Sequence, residues 1–299
     1  MWGHGWRFVG EFVVFAAAFD RAMRGCRPPM SDTDESTVIE LADLLWQAAV
    51  DRIPIEPITE TRPNLTLADA YTIQAANIRR RVLAGHAIRG CRLGRTSVPR
   101  QDILGVDEPD FGILIDDMFL DDGDRVGFES FLQPRVMATI GFVMGDDLAG
   151  PGVTSADALG AVCGVVPAIE IVDSRIADWR VQLADTVADN ASSGKVVLGS
   201  RVTPPTGLDL RLLGLLLYRN GSPVESGAGA AALGNPVRCL TWLANRLPPP
   251  QRGLRRGDIV LAGPLHRLVP VRPNDVYQAD FAYLGSVSVG FYPGDGVAA

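Results

Sequence analysis

The sequence has no excess of basic residues and few cysteines, and both absences argue against particular classes of protein. Lysine and arginine total 28 against 35 aspartates and glutamates, which gives a net charge of −7. A nucleic-acid-binding face needs clustered basic residues, and the densest basic run, 79–81, falls in a helical pattern typical of a solvated surface. The four cysteines (Cys26, Cys91, Cys163 and Cys239) show no CxxC spacing. They indicate a reducing compartment and give no sign of a zinc site.

The N-terminal apolar stretch is not long enough to cross a membrane. It covers residues 12–19, too few to span a bilayer, and Glu11 and Asp20 at its ends argue against a secretory signal. Met30 is followed by an acidic segment that leads into a helix, which is typical of the start of a protein. We therefore interpret residues 1–29 as an N-terminal extension or accessory helix, upstream of a start at Met30. We expect a cytoplasmic protein with no nucleic-acid or membrane partner.

The remaining chain changes character near residue 88. Apolar residues at helical spacing predict helices over 36–50 and after Thr66, where Asp69 completes a capping box, so that 30–88 is a helical N-terminal region. From 89 to 299 short apolar runs alternate with glycine, proline and aspartate, and Asn220–Gly221 predicts a hairpin. The pattern lacks regular alternation of strands and helices. It therefore predicts an α+β fold with a rolled or sandwiched mixed sheet.

Polar residues inside apolar surroundings mark a candidate site, and Glu170 is the most informative of them. It lies in the strand-like run PAIEIV at 167–172, where its neighbours should be buried. A buried carboxylate needs a partner, either an arginine such as Arg175 in an ordinary ion pair, or a metal ion or a substrate proton. The glycine-ended segment 185–194, DTVADNASSG, has a composition suited to a polar ligand, although such a loop is often only a capped turn.

Several phrases along the chain resemble those of one protein family. They are AYTIQ at 70–74, LGVDEPDFG at 104–112, IDDM at 115–118, QPR at 133–135, PAIEIVDSRIADW at 167–179, DTVADNASSG at 185–194, GDIVLAG at 257–263 and LGSVSVGF at 284–291. Over residues 35–292 the chain resembles the 2-keto-4-pentenoate hydratases and the related 4-oxalocrotonate decarboxylases of the fumarylacetoacetate hydrolase superfamily. The resemblance implies a mixed β-roll with flanking helices, assembled as an oligomer, and a hydro-lyase of aromatic meta-cleavage catabolism.

The resemblance also implies a set of site residues. The substrate is a small 2-keto or 2-hydroxydienoic acid, chelated by Mg²⁺ or Mn²⁺, which makes the C2 carbonyl an electron sink. Glu170 matches one of three glutamate ligands, while the other two positions hold Met137 and Thr139. Arg92 stands where the family has a lysine, and Ala262 where it has a hydroxyl. The implied roles are catalysis for Asp110 and Arg92, and substrate binding for Asn190, Ser192 and Ser193, with a turn-capping aspartate as the alternative at position 110.

Three hypotheses about function follow from these substitutions. The first is an active hydratase or decarboxylase with altered metal use, in which Asp173 or a neighbouring aspartate assists Glu170. The second is a catalytically impaired relative that binds a small keto acid or stabilises an active paralogue in a homo- or hetero-oligomer. The third is metal-free chemistry in which Arg92 holds a substrate carboxylate through paired hydrogen bonds.

Overall fold

The computed structural model describes residues 35–96, 109–247, 253–294 and 297–298. The predicted extension at 1–29, with Met30 and Cys26, lies outside the described residues, as do Ser97 and positions 104–108 of the phrase LGVDEPDFG. The division at residue 88 stays a prediction.

The described helices are short, and the two longest lie in the N-terminal region. Their bounds are α1 Glu35–Asp51, α2 Ile58–Thr61, α3 Leu67–Leu83, α4 Ser155–Gly160, α5 Leu183–Ala188 and α6 Val237–Arg246. The capping box predicted at the start of α3 is present, because the Thr66 side chain accepts from the Asp69 backbone and Asp69 accepts from the Thr66 backbone. The buried faces of α1 and α3 pack together with Ile176 and Val187 in one apolar cluster.

Fourteen strands are described between residues 88 and 298. Their bounds are β1 Ile88–Gly94, β2 Asp110–Ile115, β3 Phe119–Asp121, β4 Arg125–Gly127, β5 Arg135–Met144, β6 Val162–Val172, β7 Ser193–Leu198, β8 Gly214–Arg219, β9 Ser222–Ala228, β10 Ile259–Leu261, β11 Val269–Pro270, β12 Val276–Phe281, β13 Gly285–Tyr292 and β14 Val297–Ala298. The predicted hairpin is β8–β9, and its turn residues Asn220 and Gly221 have φ angles of 51° and 78°. Both are left-handed, as a two-residue hairpin turn of this kind requires.

The strands form two mixed sheets. The larger has the order β2-β1-β10-β5-β6-β7-β3, with β11 also paired to β5, and the smaller has the order β14-β4-β13-β12-β8-β9. In the larger sheet β2 also contacts β7, although four strands separate them in the sheet order. This sheet therefore curls, and we call the space that it encloses the roll interior.

Alternation along each strand divides the larger sheet into two faces. One face packs against the smaller sheet and α6, and it includes Leu93, Ala138, Ile140 and Ile169 in the main core. The other face lines the roll interior, where Leu114, Ala168, Val196 and Leu261 from four different strands form a small apolar cluster. Residues two positions away from these along the strands face the same interior.

The structure confirms the α+β class and refines several predicted boundaries. Strand β6 begins at Val162, earlier than the apolar run around 168–172 suggests. Helix α6 begins at Val237, after Pro236, and the Asn235 side chain accepts from the Val237 backbone N–H. Within the described part of the chain, no helix combines the length and apolarity needed to traverse a bilayer.

Candidate active site in the roll interior

The roll interior brings together the side chains that the sequence marks as functional. Glu170 lies opposite Met137 in the β5–β6 register, Arg92 lies opposite Gly112, and Asp110 lies opposite Gly94 in the β1–β2 register. Arg92 is 5% exposed, Asp110 and Glu170 are each 1% exposed, and Met137 is also 1% exposed. We call Arg92, Asp110, Met137, Thr139 and Glu170 the polar end of the roll.

Arg92 and Glu170 form a buried ion pair at the polar end. The Arg92 Nε–H donates to Glu170 Oε2, and Nη1 donates to the carbonyl of Ala191. Of the partners considered for Glu170, the structure shows an arginine, but it is Arg92, because Arg175 pairs with Asp189. Glu170 Oε1 has no hydrogen-bond partner among the described residues. Burial raises the pKa of Glu170 above its usual range, although the guanidinium of Arg92 opposes that shift.

Met137 and Thr139 add no carboxylate to this pair. Met137 presents a thioether directly across the strand pair from Glu170. The Thr139 hydroxyl donates to the carbonyl of Gly263 at 2.6 Å, so it ties β5 to the end of β10. Hard divalent ions prefer carboxylate, carbonyl and water oxygens, and neither side chain supplies a charged oxygen here.

Asp110 begins strand β2 and points to the same face as Arg92. Its carboxylate lies over Gly94, where an added Cβ atom would stand 2.1 Å from Asp110 Oδ1. Only a glycine at position 94 leaves this space, so the backbone of β1 is shaped around the carboxylate. The geometry is compatible with the predicted acid/base role of Asp110, which stays a prediction.

A strained loop forms one wall of the polar end. Asn190, Ala191 and Ser192 have φ angles of 52°, 53° and 53°, a left-handed conformation that is unfavourable for alanine and serine. The loop is held from outside by Arg175, whose Nε donates to Asp189 Oδ1 at 2.5 Å and whose Nη2 donates to the Asp189 carbonyl at 2.7 Å. This conformation turns the Ala191 carbonyl toward Arg92.

The three side chains predicted to bind substrate are engaged within this loop and its neighbours. Both polar atoms of the Asn190 amide bond the backbone of Ile113, at 2.8 Å and 2.9 Å. Ser192 Oγ donates to Asp189 Oδ2 at 3.1 Å, and Ser193 Oγ donates to the Asn190 carbonyl at 2.6 Å. These contacts fix the loop against β2. A direct role in substrate binding stays a prediction for all three.

Two further residues singled out from the sequence have structural surroundings. Asp173 accepts from the backbone N–H groups of Leu132 and Gln133, at 2.9 Å and 2.6 Å, so it anchors the segment before β5. Ala262 belongs to the main core on the opposite face of the sheet from Arg92. Its lack of a hydroxyl therefore does not alter the lining of the polar end.

A second group of potential metal ligands lies outside the roll interior. The ligating atoms of His86, Asp116 and Asp117 fall within 4.8 Å of one another. Asp116 accepts from the Ala87 backbone and contacts His86 Nδ1 at 2.9 Å, while Asp117 pairs with Arg81. Each of these groups already has a protein partner, so the cluster is accounted for by contacts within the chain.

The chain matches one protein family over most of its length. The family model described as fumarylacetoacetate (FAA) hydrolase C-terminal matches residues 85–291. A 2-keto-4-pentenoate hydratase from Paraburkholderia xenovorans (strain LB400) is 47% identical over 252 residues, covering 84% of this chain and 94% of that protein. A 2-oxo-hept-4-ene-1,7-dioate hydratase from Escherichia coli is 37% identical over 264 residues, covering 86% and 99% respectively.

A solved structure gives the same result. The 4-oxalocrotonate decarboxylase from Pseudomonas putida G7, complexed with magnesium and adipate, has a TM-score of 0.83 and 35% sequence identity, covering 88% of this chain and 100% of that one. The chain belongs to the fumarylacetoacetate hydrolase family, in the group that contains the 2-keto-4-pentenoate hydratases. This confirms the resemblance and the expected fold.

The sequence did not reveal how Arg92 is used. Its pairing with both Glu170 and the Ala191 carbonyl links three elements that are far apart in the chain. The sequence does contain an indication of this pairing. With Met137 and Thr139 in place of two glutamate ligands, Glu170 needs a cation other than a metal ion as its partner. The role of Arg175 as the holder of the loop had no comparable signal.

Proposed function

We propose that the chain binds a short 2-keto or 2-hydroxydienoic acid at the polar end of the roll and acts as a hydratase of the 2-keto-4-pentenoate type. The observation that carries the proposal is the convergence of Arg92, Asp110 and Glu170 on one buried face of a fold shared with hydratases at 37–47% identity. In the net reaction a water molecule adds across the carbon–carbon double bond of the 2-keto tautomer. One C–O bond and one C–H bond form, while one O–H bond of water and the C=C π bond break.

Arg92 supplies the positive charge that a carboxylated substrate requires. A guanidinium has five N–H donors, and within the described part of the chain Arg92 makes two hydrogen bonds, to Glu170 and to Ala191. The remaining donors suit a substrate carboxylate or a C2 oxygen on which negative charge develops. Arginine does not exchange protons near neutral pH, so its role is to bind and orient.

Asp110 is the residue we assign to proton movement. Its buried carboxylate faces the same interior as Arg92, and a carboxyl group moves protons efficiently only when held within hydrogen-bond reach of the reacting atom. The walls of the roll, formed by the apolar cluster of Leu114, Ala168, Val196 and Leu261, exclude bulk water from the carbon chain of the ligand.

The residues of the polar end do not fit the Mg²⁺ or Mn²⁺ ion that the family resemblance implies. Glu170 Oε2 is bonded to a cation of the protein, Met137 offers a thioether, and the Thr139 hydroxyl is donated to Gly263. The roles proposed for Arg92 and Asp110 therefore do not depend on a metal ion. Separation of hydratase from decarboxylase activity, and a cytoplasmic location, stay predictions.

The test is turnover of 2-hydroxypenta-2,4-dienoate by the purified full-length chain, followed as loss of the dienol absorbance and as formation of the hydrated product. We expect turnover by the wild type, a loss of about 100-fold or more in kcat for Asp110→Asn, and an increase in KM for Arg92→Lys. The same rate in wild type and Asp110→Asn, or no turnover above the rate without protein, would refute the proposal.

A second candidate function is favoured by the Arg92–Glu170 pair itself. A guanidinium bonded to the one family carboxylate that is retained suits a subunit that binds a keto acid, or stabilises an active paralogue, without turning substrate over. Co-expression with an active hydratase or decarboxylase of the same family tests it. This function is supported by a stable mixed complex whose activity requires the catalytic residues of the paralogue but not those of this chain. It is contradicted if the paralogue is equally soluble and active when this chain is absent.

A further inference from the structure

The positive charge beside Glu170 belongs to a protein side chain, the guanidinium of Arg92. The side chains of Arg92 and Glu170 are 6% and 2% exposed, and the pair carries no net charge. The guanidinium is fixed on two sides, by Glu170 from strand β6 and by the Ala191 carbonyl from the strained loop. The guanidinium is therefore fixed inside the protein, whereas the charged end of a long side chain usually lies in solvent.

We infer that the Arg92 guanidinium takes the place beside Glu170 that a divalent ion takes in metal-dependent relatives, so that the roll interior of this chain binds no divalent ion. Three substitutions act together in this exchange: arginine at 92, methionine at 137 and threonine at 139. The two carboxylates and the divalent cation of such relatives carry charges that sum to zero, and arginine at 92 keeps the single positive charge of the family's lysine, so the charge of the interior stays balanced.

A divalent ion would meet two obstacles at this position. Arg92 already holds Glu170 Oε2, and an ion at Oε1, which has no partner among the described residues, would lie beside the same guanidinium, so that a buried monovalent cation would stand next to a divalent one. The rest of the ligand set is also unsuitable, because Met137 lies across from Glu170 with a soft thioether and the Thr139 hydroxyl is committed to Gly263 at 2.6 Å. The guanidinium beside Glu170 and the lack of suitable ligands at positions 137 and 139 are two independent reasons why a divalent ion would not bind.

The inference is independent of turnover. A chain that hydrates dienoates without a metal and a chain that has no activity would both satisfy it, so its failure is distinguishable from failure of the proposed function. Its readout is metal occupancy, measured without substrate.

The experiment compares Mn²⁺ binding by four full-length proteins, using electron paramagnetic resonance of free Mn²⁺ and titration calorimetry. They are the wild type, Glu170→Gln, the triple variant Arg92→Lys/Met137→Glu/Thr139→Glu, and the matched control Arg92→Lys/Met137→Gln/Thr139→Gln. The control has the same side-chain shapes as the triple variant without the two charges, and circular dichroism reports whether each protein is folded.

We expect the wild type to bind no more Mn²⁺ than Glu170→Gln does. The triple variant should bind one Mn²⁺ at least about 100-fold more tightly than the wild type, since even the loss of an outer-shell partner costs 10–100-fold in metal affinity. The control should bind like the wild type. One Mn²⁺ per wild-type chain that disappears in Glu170→Gln would overturn the inference, whether or not the triple variant folds. A folded triple variant that binds no more Mn²⁺ than its control would overturn it as well.

Discussion

Two arginine–carboxylate pairs, Arg92–Glu170 and Arg175–Asp189, are largely buried in this protein, and they are built differently. Arg175 and Asp189 each bond several other groups. The guanidinium also donates to the carbonyls of Asp173 and Ser193, and the Asp189 carboxylate also accepts from the Ser192 hydroxyl. Arg92 and Glu170 make one bond to each other and one to Ala191, and Glu170 Oε1 has no partner among the described residues. The first pair holds a loop, and the second leaves hydrogen-bonding capacity for a ligand.

Burial and charge alone therefore do not identify a ligand-binding site. Both carboxylates are buried, and burial raises the pKa of both. What separates them is the number of protein groups that each pair satisfies. A pair that satisfies its surroundings completely supports the fold, while a pair with remaining donors and acceptors has something left to offer to a ligand.

The largest expected effect comes from replacing each pair by apolar residues of similar size. Arg175→Met/Asp189→Leu removes several hydrogen bonds to buried backbone groups and should lower the free energy of unfolding by about 4 kcal/mol, at ~1 kcal/mol for each bond lost. Arg92→Met/Glu170→Leu leaves only the Ala191 carbonyl without its donor, so its free energy of unfolding should stay within about 1 kcal/mol of the wild type or rise above it. Urea denaturation measures both. Equal losses in the two double variants would contradict the distinction between the pairs.

A smaller effect should appear in the pH dependence of stability. Burial raises the pKa of Asp189 to about 6, although the neighbouring Arg175 opposes the shift. The folded protein therefore holds this proton more tightly than the unfolded chain, whose carboxyl has a pKa of about 4, so the contribution of Asp189 to stability falls as the pH rises from about 4 to 6. The free energy of unfolding of the wild type, minus that of Asp189→Asn, should fall by about 2 kcal/mol across this window.

Denaturation at a series of pH values measures this difference. Glu40→Gln removes one charge from an exposed position and controls for the general effect of net charge. A wild-type to Asp189→Asn difference that rises with pH between 4 and 6 would show that Arg175 outweighs burial.

The smallest effect is expected at Asn190. Asn190→Ala removes two hydrogen bonds to Ile113 and should lower the free energy of unfolding by about 1–2 kcal/mol. If the Asn190 amide only holds the loop in place, the affinity for a keto acid, measured by calorimetry, should change little in Asn190→Ala. Asn190→Asp keeps the shape and one of the two bonds and provides the control. A large loss of ligand affinity in Asn190→Asp with unchanged stability would instead support the predicted binding role.

Much of the fold could be predicted from the sequence, and the reasons are local. The capping box at Thr66 and the hairpin turn at Asn220–Gly221 each depend on a few adjacent residues. The phrases around 167–194 also identified the family correctly. The partner of Glu170 could not be found in this way, because Arg92 is 78 residues distant in the chain and meets it only when the sheet curls. The same holds for Ala262, whose face of the sheet depends on the position of strand β10.

The amide contacts of Asn190 have a further consequence, for association between chains. Strand β2 stands at the edge of the larger sheet, where unpaired backbone groups invite pairing with a strand of another molecule. The outward N–H and C=O of Ile113 are covered by the Asn190 amide, and the outward C=O of Phe111 accepts from Gln74 Nε2 at 3.0 Å. Two side-chain amides thus stand where a neighbouring strand would bind. The side chain of Asn190, besides fixing the loop at 190–192, therefore occupies a position on the sheet edge where a strand of another molecule would otherwise pair.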